Sequence, residues 1–221
     1  PGPCGHPGVA CITNLFTIGR VIIIGIIFLQ LCYLLLSPLF KRMEQIASQM
    51  YVIIEGKKLF FNGKELRVEP KRRITSISQI KRLGEFSETL INLNLSDHQI
   101  KNIEGLPTLN YLQTLTLHNN EIARIEYLDN VKSLISLDLS GNNIKKIEGL
   151  EPLKELRVLD LKKNQIEKIE SLENLPNLNN LDLRKNNLKS LEGVRNLYSL
   201  EILRVDDNEL EEIHFLETLI N

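Results

Sequence analysis

The sequence predicts an α/β fold: a right-handed, horseshoe-shaped solenoid with a parallel β-sheet on its concave face and 3₁₀ or short helical turns on its convex face. First, a 22-residue pattern recurs six times over residues 90–221 without an insertion or deletion. Second, its seven apolar columns hold only Leu, Ile or Val in every copy. Third, leucines alternate in the first half of each copy, as in a strand, and apolar residues recur at every third position in the second half. One such coil cannot bury its apolar face alone, so the copies must stack.

Composition and charge narrow the class of protein further. The chain has 221 residues, of which 43% are apolar and 5% aromatic, with no Trp, which suits one core filled by Leu and Ile. Residues 1–89 carry 12 Lys or Arg against 6 Asp or Glu, whereas residues 90–221 carry 15 against 22. Phosphate binding draws on clustered positive charge, so an acidic solenoid is not expected to bind nucleic acid.

The N-terminal region differs from the repeats in amino-acid composition and lacks their 22-residue period. Residues 1–19 are rich in Gly and Pro and are predicted to be disordered. Residues 20–42 form a candidate transmembrane helix, because the twenty residues from Val21 to Phe40 carry no charge and would span about 30 Å as a helix. Alternatively, the natural protein starts at Met43 or Met50, since the sequence does not begin with Met, and this segment is not part of it.

Two observations bear on the compartment. Lys and Arg are more frequent on the C-terminal side of the candidate span, which orients the repeats towards the cytoplasm. All three cysteines lie upstream of the repeats, and a cysteine-free array favours a reducing compartment. The sequence therefore predicts cytoplasmic repeats, with membrane anchoring by a single N-terminal span as an additional hypothesis.

Between the candidate span and the repeats, the sequence predicts a small capping region. Residues 51–76 resemble a β-meander followed by a linker, in which Asn62 and Gly63 would form a two-residue hairpin turn because both tolerate positive φ. Residues 77–89 have apolar side chains at three-residue spacing, which indicates a half-repeat that caps the solenoid. These apolar residues are Ile77, Ile80, Leu83 and Phe86.

Within the repeats, two columns predict specific structural features. Six strands are expected, centred on Leu93, Leu115, Leu137, Leu159, Leu181 and Leu203. Asparagine follows the strand in five copies, where a buried side-chain amide can bond backbone groups of the neighbouring coil. This ladder consists of Asn120, Asn142, Asn164, Asn186 and Asn208. In the first copy His98 takes that place, and a structural histidine with satisfied hydrogen bonds is expected there.

The copies in residues 142–183 carry a family resemblance. Their sequence, NNIKKIEGLEPLKELRVLDLKKNQIEKIESLENLPNLNNLDL, resembles the 22-residue leucine-rich-repeat class typified by the nuclear regulatory subunit of protein phosphatase 1. Bacterial internalins share the period, but their copies read closer to ITDISPL than to IEKIESL. The resemblance covers residues 90–221 and implies the fold. It does not indicate one partner, because the same class occurs in axonemal, spliceosomal and signalling proteins.

Strand alternation predicts where a partner would bind. Side chains on either side of each inward leucine point to the concave face, where the pattern brings together acidic and basic residues. The predicted protein-binding surface consists of Thr116, His118, Asp138, Asp160, Lys162, Asp182, Arg184 and Arg204. The alternative is that these aspartates bind no partner: their side chains are solvated, and their negative charge is balanced by Lys162 and Arg184.

The sequence lacks motifs for catalysis. It has no Gly-rich phosphate loop, no GxSxG, no HExxH and no paired CxxC, and Cys4, His6 and Cys11 lack a fourth metal ligand. An enzyme, a cofactor or a metal site is therefore not expected. Two hypotheses remain: a protein-interaction scaffold, or the sensor region of a longer GTPase, kinase, phosphatase regulator or ligase. The sixth copy lacks a polar C-terminal cap, which predicts further repeats or a cap after residue 221, or pairing of this end with another chain.

Overall fold

A computed structural model describes residues 37–39, 41–42, 45 and 49–211. The predictions of disorder over residues 1–19 and of a span over residues 21–40 fall almost wholly outside this part of the chain. In the described residues no helix is both long and apolar enough to cross a bilayer. The chain divides into two units, Pro1–Gln49 and Met50–Asn221, and the elements below belong to the second.

The second unit is built almost entirely from short strands and turns. Its described strands are β1 (Tyr51–Ile54), β2 (Lys57–Phe60), β3 (Glu65–Arg67), β4 (Asn92–Asn94), β5 (Thr114–Thr116), β6 (Ser136–Asp138), β7 (Val158–Asp160), β8 (Asn180–Asp182) and β9 (Ile202–Arg204). Four 3₁₀ helices are described alongside them: Pro70–Arg72, Ile77–Gln79, Leu83–Phe86 and Glu192–Val194.

Strands β3 to β9 form one parallel sheet in sequence order. The predicted parallel-sheet solenoid is thus confirmed, and β4 to β9 are centred on the six predicted leucines. The sheet has a seventh strand, β3, that the sequence pattern missed. Its Leu66 pairs with Leu93, 27 positions later, whereas Leu93 and Leu115 are 22 positions apart, so β3 lies outside the period.

The predicted meander is wrong. Strands β1 and β2 do form an antiparallel hairpin, but its two-residue turn is Glu55 and Gly56, with φ of 51° and 73°, rather than Asn62 and Gly63. After β2 the Asn62 side chain accepts hydrogen bonds from the backbone N–H groups of Lys64 and Glu65, at 2.9 and 2.7 Å. This local turn leads the chain into the parallel sheet, so β3 pairs with β4 instead of β2.

The N-terminal cap is larger than the predicted half-repeat. Residues 77–89 are the second half of a complete coil that begins at β3. The hairpin docks on this coil through two backbone hydrogen bonds between Ile53 and Lys81, of 3.1 and 2.9 Å. Val52 and Ile54 of β1 are fully buried. The hairpin therefore shields the apolar edge of the first coil.

The core is a continuous column of Leu, Ile and Val inside the coils. The central residue of each strand from β4 to β8 is no more than 1% exposed. The chain returns from one strand to the next through turns, in which a leucine N–H bonds the carbonyl three residues earlier, as in Leu112 to Leu109 at 3.2 Å. Over the described repeats this confirms the predicted thin convex wall of 3₁₀ and extended turns.

Candidate functional site on the sheet face

Each strand of the solenoid presents two side chains on the face opposite its buried leucine. In β5, β6 and β7 the central residue is buried while its neighbours are half-buried, as alternation requires. We call this outward side of β3–β9, with the solvent-accessible side chains up to three residues after each strand, the sheet face. The predicted residues on it are Thr116, Asp138, Asp160, Asp182 and Arg204 at strand ends, and His118, Lys162 and Arg184 two positions later.

The aspartates that end β6, β7 and β8 have a structural role that the sequence analysis missed. One carboxylate oxygen of each accepts a hydrogen bond from the backbone N–H two residues later, at 2.9 Å in Asp138 and Asp160 and 3.1 Å in Asp182. Asn94 accepts the equivalent bond at 3.0 Å with an amide oxygen. These are Asx turns, which Asp and Asn at the strand end could have indicated. The turn requires an oxygen acceptor but not a negative charge.

Asp182 is neutralised within the protein. The Nε of Arg184 lies 2.9 Å from each of its carboxylate oxygens, and Nη2 forms a further short bond. Burial raises the pKa of Asp182, but the side-chain and backbone hydrogen bonds from Arg184, together with its charge, outweigh burial and hold the pKa below its usual value. This pair therefore presents little net charge to a partner.

Asp160 has the opposite electrostatic environment. Burial raises its pKa above the usual value, the backbone hydrogen bond from Lys162 opposes this, and the neighbouring charges of Asp138 and Asp182 raise it further. Among the described residues neither Asp138 nor Asp160 has an ion pair within 4.0 Å. The expected compensation by Lys162 is thus only long-range. Two adjacent strands end in carboxylates that no cation contacts.

Basic side chains lie next to these carboxylates. Lys162 is half-buried and Lys163 exposed, and neither forms an ion pair among the described residues. Together with Asp138 and Asp160 they line a depression of about 460 Å³ on the sheet face. We call it the mixed-charge depression. It is open to solvent and holds unpaired groups of both signs.

His118 and Ser140 also line the depression, in an arrangement that does not support catalysis. His118 Nδ1 lies 3.1 Å from Ser140 Oγ, and its Nε2 lies 3.9 Å from Asp97 Oδ1, which is beyond hydrogen-bond distance. The Ser140 hydroxyl donates to Asp138 Oδ1 at 2.6 Å. Its proton is thus directed at a carboxylate rather than at the imidazole, so His118 cannot act as its general base in this geometry.

Below the sheet face, the asparagine ladder ties each coil to the one before it. Asn142 Nδ2 donates to the carbonyls of Leu117 in the preceding coil and Leu139 in its own, at 3.0 and 2.9 Å. Its Oδ1 accepts from the N–H of Ile122 in the preceding coil at 3.0 Å. Equivalent bonds are formed by Asn120, Asn164, Asn186 and Asn208. The ladder holds the sheet face rigid.

His98 replaces this asparagine in the first repeat but reproduces only part of its bonding. Its Nε2 lies 3.2 Å from the carbonyl of Val68, while Nδ1 is buried and without a hydrogen-bond partner in the described part of the chain. The expectation of a fully satisfied histidine is therefore wrong. Burial lowers its pKa, against the raising effects of the Val68 carbonyl and Asp97. The residue is 6% exposed and lies beneath the sheet rather than on the sheet face.

The stacked coils, the in-register sheet and the asparagine ladder define a leucine-rich-repeat solenoid. A family model described as "Leucine Rich repeats (2 copies)" matches residues 132–174. The chain is a leucine-rich-repeat protein. No curated protein matches its sequence.

Solved structures of bacterial repeat proteins share this fold. Internalin C2 of Listeria monocytogenes is 31% identical, with a TM-score of 0.61, and the match covers 70% of this chain and 66% of that one. A second Listeria monocytogenes internalin is 24% identical, with a TM-score of 0.52 and coverage of 70% and 50%. A leucine-rich-repeat protein of Leptospira interrogans is 22% identical, with a TM-score of 0.53 and coverage of 70% and 46%. The chain thus spans about half to two thirds of the length of these structures, and the specific resemblance to the phosphatase-regulator class is not confirmed.

Proposed function

We propose that this protein is a non-catalytic interaction module that binds a partner protein on its sheet face. The observation that carries the proposal is the mixed-charge depression, where Asp138, Asp160, Lys162 and Lys163 remain without an ion pair in the described chain. Groups of both signs on a rigid surface steer a complementary partner and set its orientation. The leucine-rich-repeat fold supports this proposal, since solenoids present extended concave surfaces of this kind.

Finer assignments rest on sequence arguments. The IEKIESL form of the copies favours the 22-residue class typified by the nuclear regulatory subunit of protein phosphatase 1. The alternative function is that of a sensor or regulatory region in a longer signalling protein. The cysteine-free repeats favour a reducing, cytoplasmic location. Anchoring through residues 21–40 rests on the length and apolar character of that segment.

Site-directed photocrosslinking tests the proposed surface. A photoreactive residue at Thr116, on the sheet face, should capture a partner from cells of the source organism, whereas one at exposed Glu121 or Lys145 should not. The captured protein is then purified and its affinity measured. Equal capture from all three sites, or from the two control sites alone, would contradict the proposal.

The affinity measurement compares wild type with a D138N/D160N variant. Asparagine keeps the oxygen that accepts the turn hydrogen bond, as Asn94 shows, and removes only the charge. Lysine at these positions would remove the acceptor as well, so Asp→Asn is the matched change. We expect weaker binding with an unchanged circular-dichroism spectrum and no loss of thermal stability. An unchanged affinity would place the binding site elsewhere.

A further inference from the structure

The internal pairing of the sheet face defines which charges remain for a partner. Asp182 is paired with Arg184, and Lys185 lies 3.8 Å from Asp207. Arg204 donates to the side chain of Asn180 at 3.1 Å. In the part of the depression that the structure describes, this leaves two carboxylates and two ammonium groups without a charged neighbour in contact. The unpaired groups are therefore balanced in number and separated by sign.

The two carboxylates are held in place at some expense of stability. Asp138 and Asp160 occupy paired positions on adjacent strands, which lie about 4.8 Å apart. Like charges directly across strands destabilise a sheet. The Asx turn would form equally well with asparagine, as it does at Asn94. The turn therefore does not account for the negative charge, which points to a function outside the fold.

The two signs form separate rows on the sheet face. Asp138 and Asp160 end their strands, while Lys162 and Lys163 follow two and three residues after Asp160. The basic row therefore lies just past the strand end, beside the acidic row. Two adjacent rows of opposite sign suit an extended segment whose basic and acidic side chains are close in sequence. A uniformly basic peptide or a nucleic acid would meet like charge in one of the rows.

We infer that the mixed-charge depression receives a short extended segment of a partner protein in which an arginine is closely followed or preceded by a glutamate or aspartate. The arginine lies against Asp138 and Asp160, and the acidic side chain lies against Lys162 and Lys163. Arginine suits two carboxylates on neighbouring strands because its planar guanidinium offers five donors in a fixed fork. This inference rests on the proposed function and specifies the chemistry of the partner at that site.

Four synthetic peptides of equal length on a Gly-Ser background serve as probes. One carries Arg and Glu two residues apart, one only the Arg, one only the Glu, and one neither. Binding to the full chain is measured by NMR titration at low ionic strength. The variants are D138N/D160N, K162Q/K163Q and, as a matched control on the convex wall, K145Q/K146Q.

We expect the Arg–Glu peptide to bind most tightly. Neutralising the aspartates should weaken only the two Arg-containing peptides, and neutralising Lys162 and Lys163 only the two Glu-containing ones, each by about three- to fivefold. K145Q/K146Q should change nothing. Absence of binding by the Arg–Glu peptide at millimolar concentration, or equal effects of both variants on all peptides, overturns the inference. If photocrosslinking still maps a partner to the sheet face in that case, only the partner chemistry is wrong; if it does not, the proposed function fails as well.

Discussion

Replacing Asn142 by Ala removes a side chain that bonds two coils in the middle of the solenoid. The N–H of Ile122 loses its acceptor at 3.0 Å, and the carbonyls of Leu117 and Leu139 lose donors at 3.0 and 2.9 Å. Asn142 is 6% exposed, so water reaches these groups poorly. Alanine has neither a donor nor an acceptor to replace the side-chain amide.

The magnitude follows from the groups left without partners. A buried polar group without a hydrogen bond costs about 1–3 kcal/mol, and carbonyl oxygens tolerate this better than N–H groups. We therefore expect Asn142→Ala to lower the free energy of unfolding by about 3 kcal/mol. Domains are typically stable by about 5–15 kcal/mol, so the loss is large.

Equilibrium urea unfolding monitored by far-ultraviolet circular dichroism measures this loss. The adjacent exposed residue provides the control, because Asn143→Ala has the same chemistry and should change the free energy of unfolding by less than about 0.5 kcal/mol. A smaller m-value in Asn142→Ala would report that coils on either side of the substitution unfold separately. Equal stability of the two variants would refute the assignment of the asparagine ladder as the link between coils.

Three further predictions concern the core, the turns and pH. Leu159→Asp places an unpaired charge at a fully buried site, so the protein should lose its cooperative thermal transition in calorimetry. Gly149→Ala should lower the free energy of unfolding by about 2 kcal/mol or more, because φ is +69° and the added Cβ would lie 2.2 Å from the Ile125 carbonyl oxygen. Gly56→Ala is the control, since φ is +73° but the added Cβ meets open space, and it should lower the free energy of unfolding in urea by only about 1 kcal/mol. The folded-state pKa of His98 is lowered, so the unfolded chain binds the extra proton first and stability should fall as pH drops below about 6.5. His98→Asn should flatten that pH dependence in urea titrations at pH 5.5 and 7.5, and an unchanged slope would show that other groups cause it.

The repeat period was the part of the fold most accessible from sequence. An apolar residue at each of seven columns leaves one way to bury them all, which is to stack the coils in register. Leu93 and Leu115 therefore had to face each other across adjacent strands, as they do. The asparagine column was accessible for the same reason, because a polar residue fixed between buried leucines needs hydrogen bonds.

The N-terminal cap was harder to predict because its pairing is not local. Asn62 and Gly63 satisfy the local rule for a hairpin turn, and Glu55 and Gly56 satisfy it less clearly. The choice between them depends on which strand Leu66 can pair with, and its partner Leu93 lies 27 residues further on. The turn propensity of two adjacent residues contains no information about a pairing partner 27 residues further along the chain. The hydrogen bonding of His98 could not be predicted in full for a related reason. Whether its Nδ1 has a hydrogen-bond partner depends on which groups the neighbouring coil places beside it.

The sequence by itself determined that this chain stacks into a solenoid and which side chains share its sheet face, because both follow from the spacing of apolar residues along the backbone. Only the tertiary structure decided which of those charges remain unpaired. Arg184 folds back onto Asp182, while Asp138 and Asp160 meet no cation in the described chain. Ion pairing depends on side-chain direction and on distances of a few ångströms between charged groups of neighbouring coils. The repeat period of the sequence specifies neither of these.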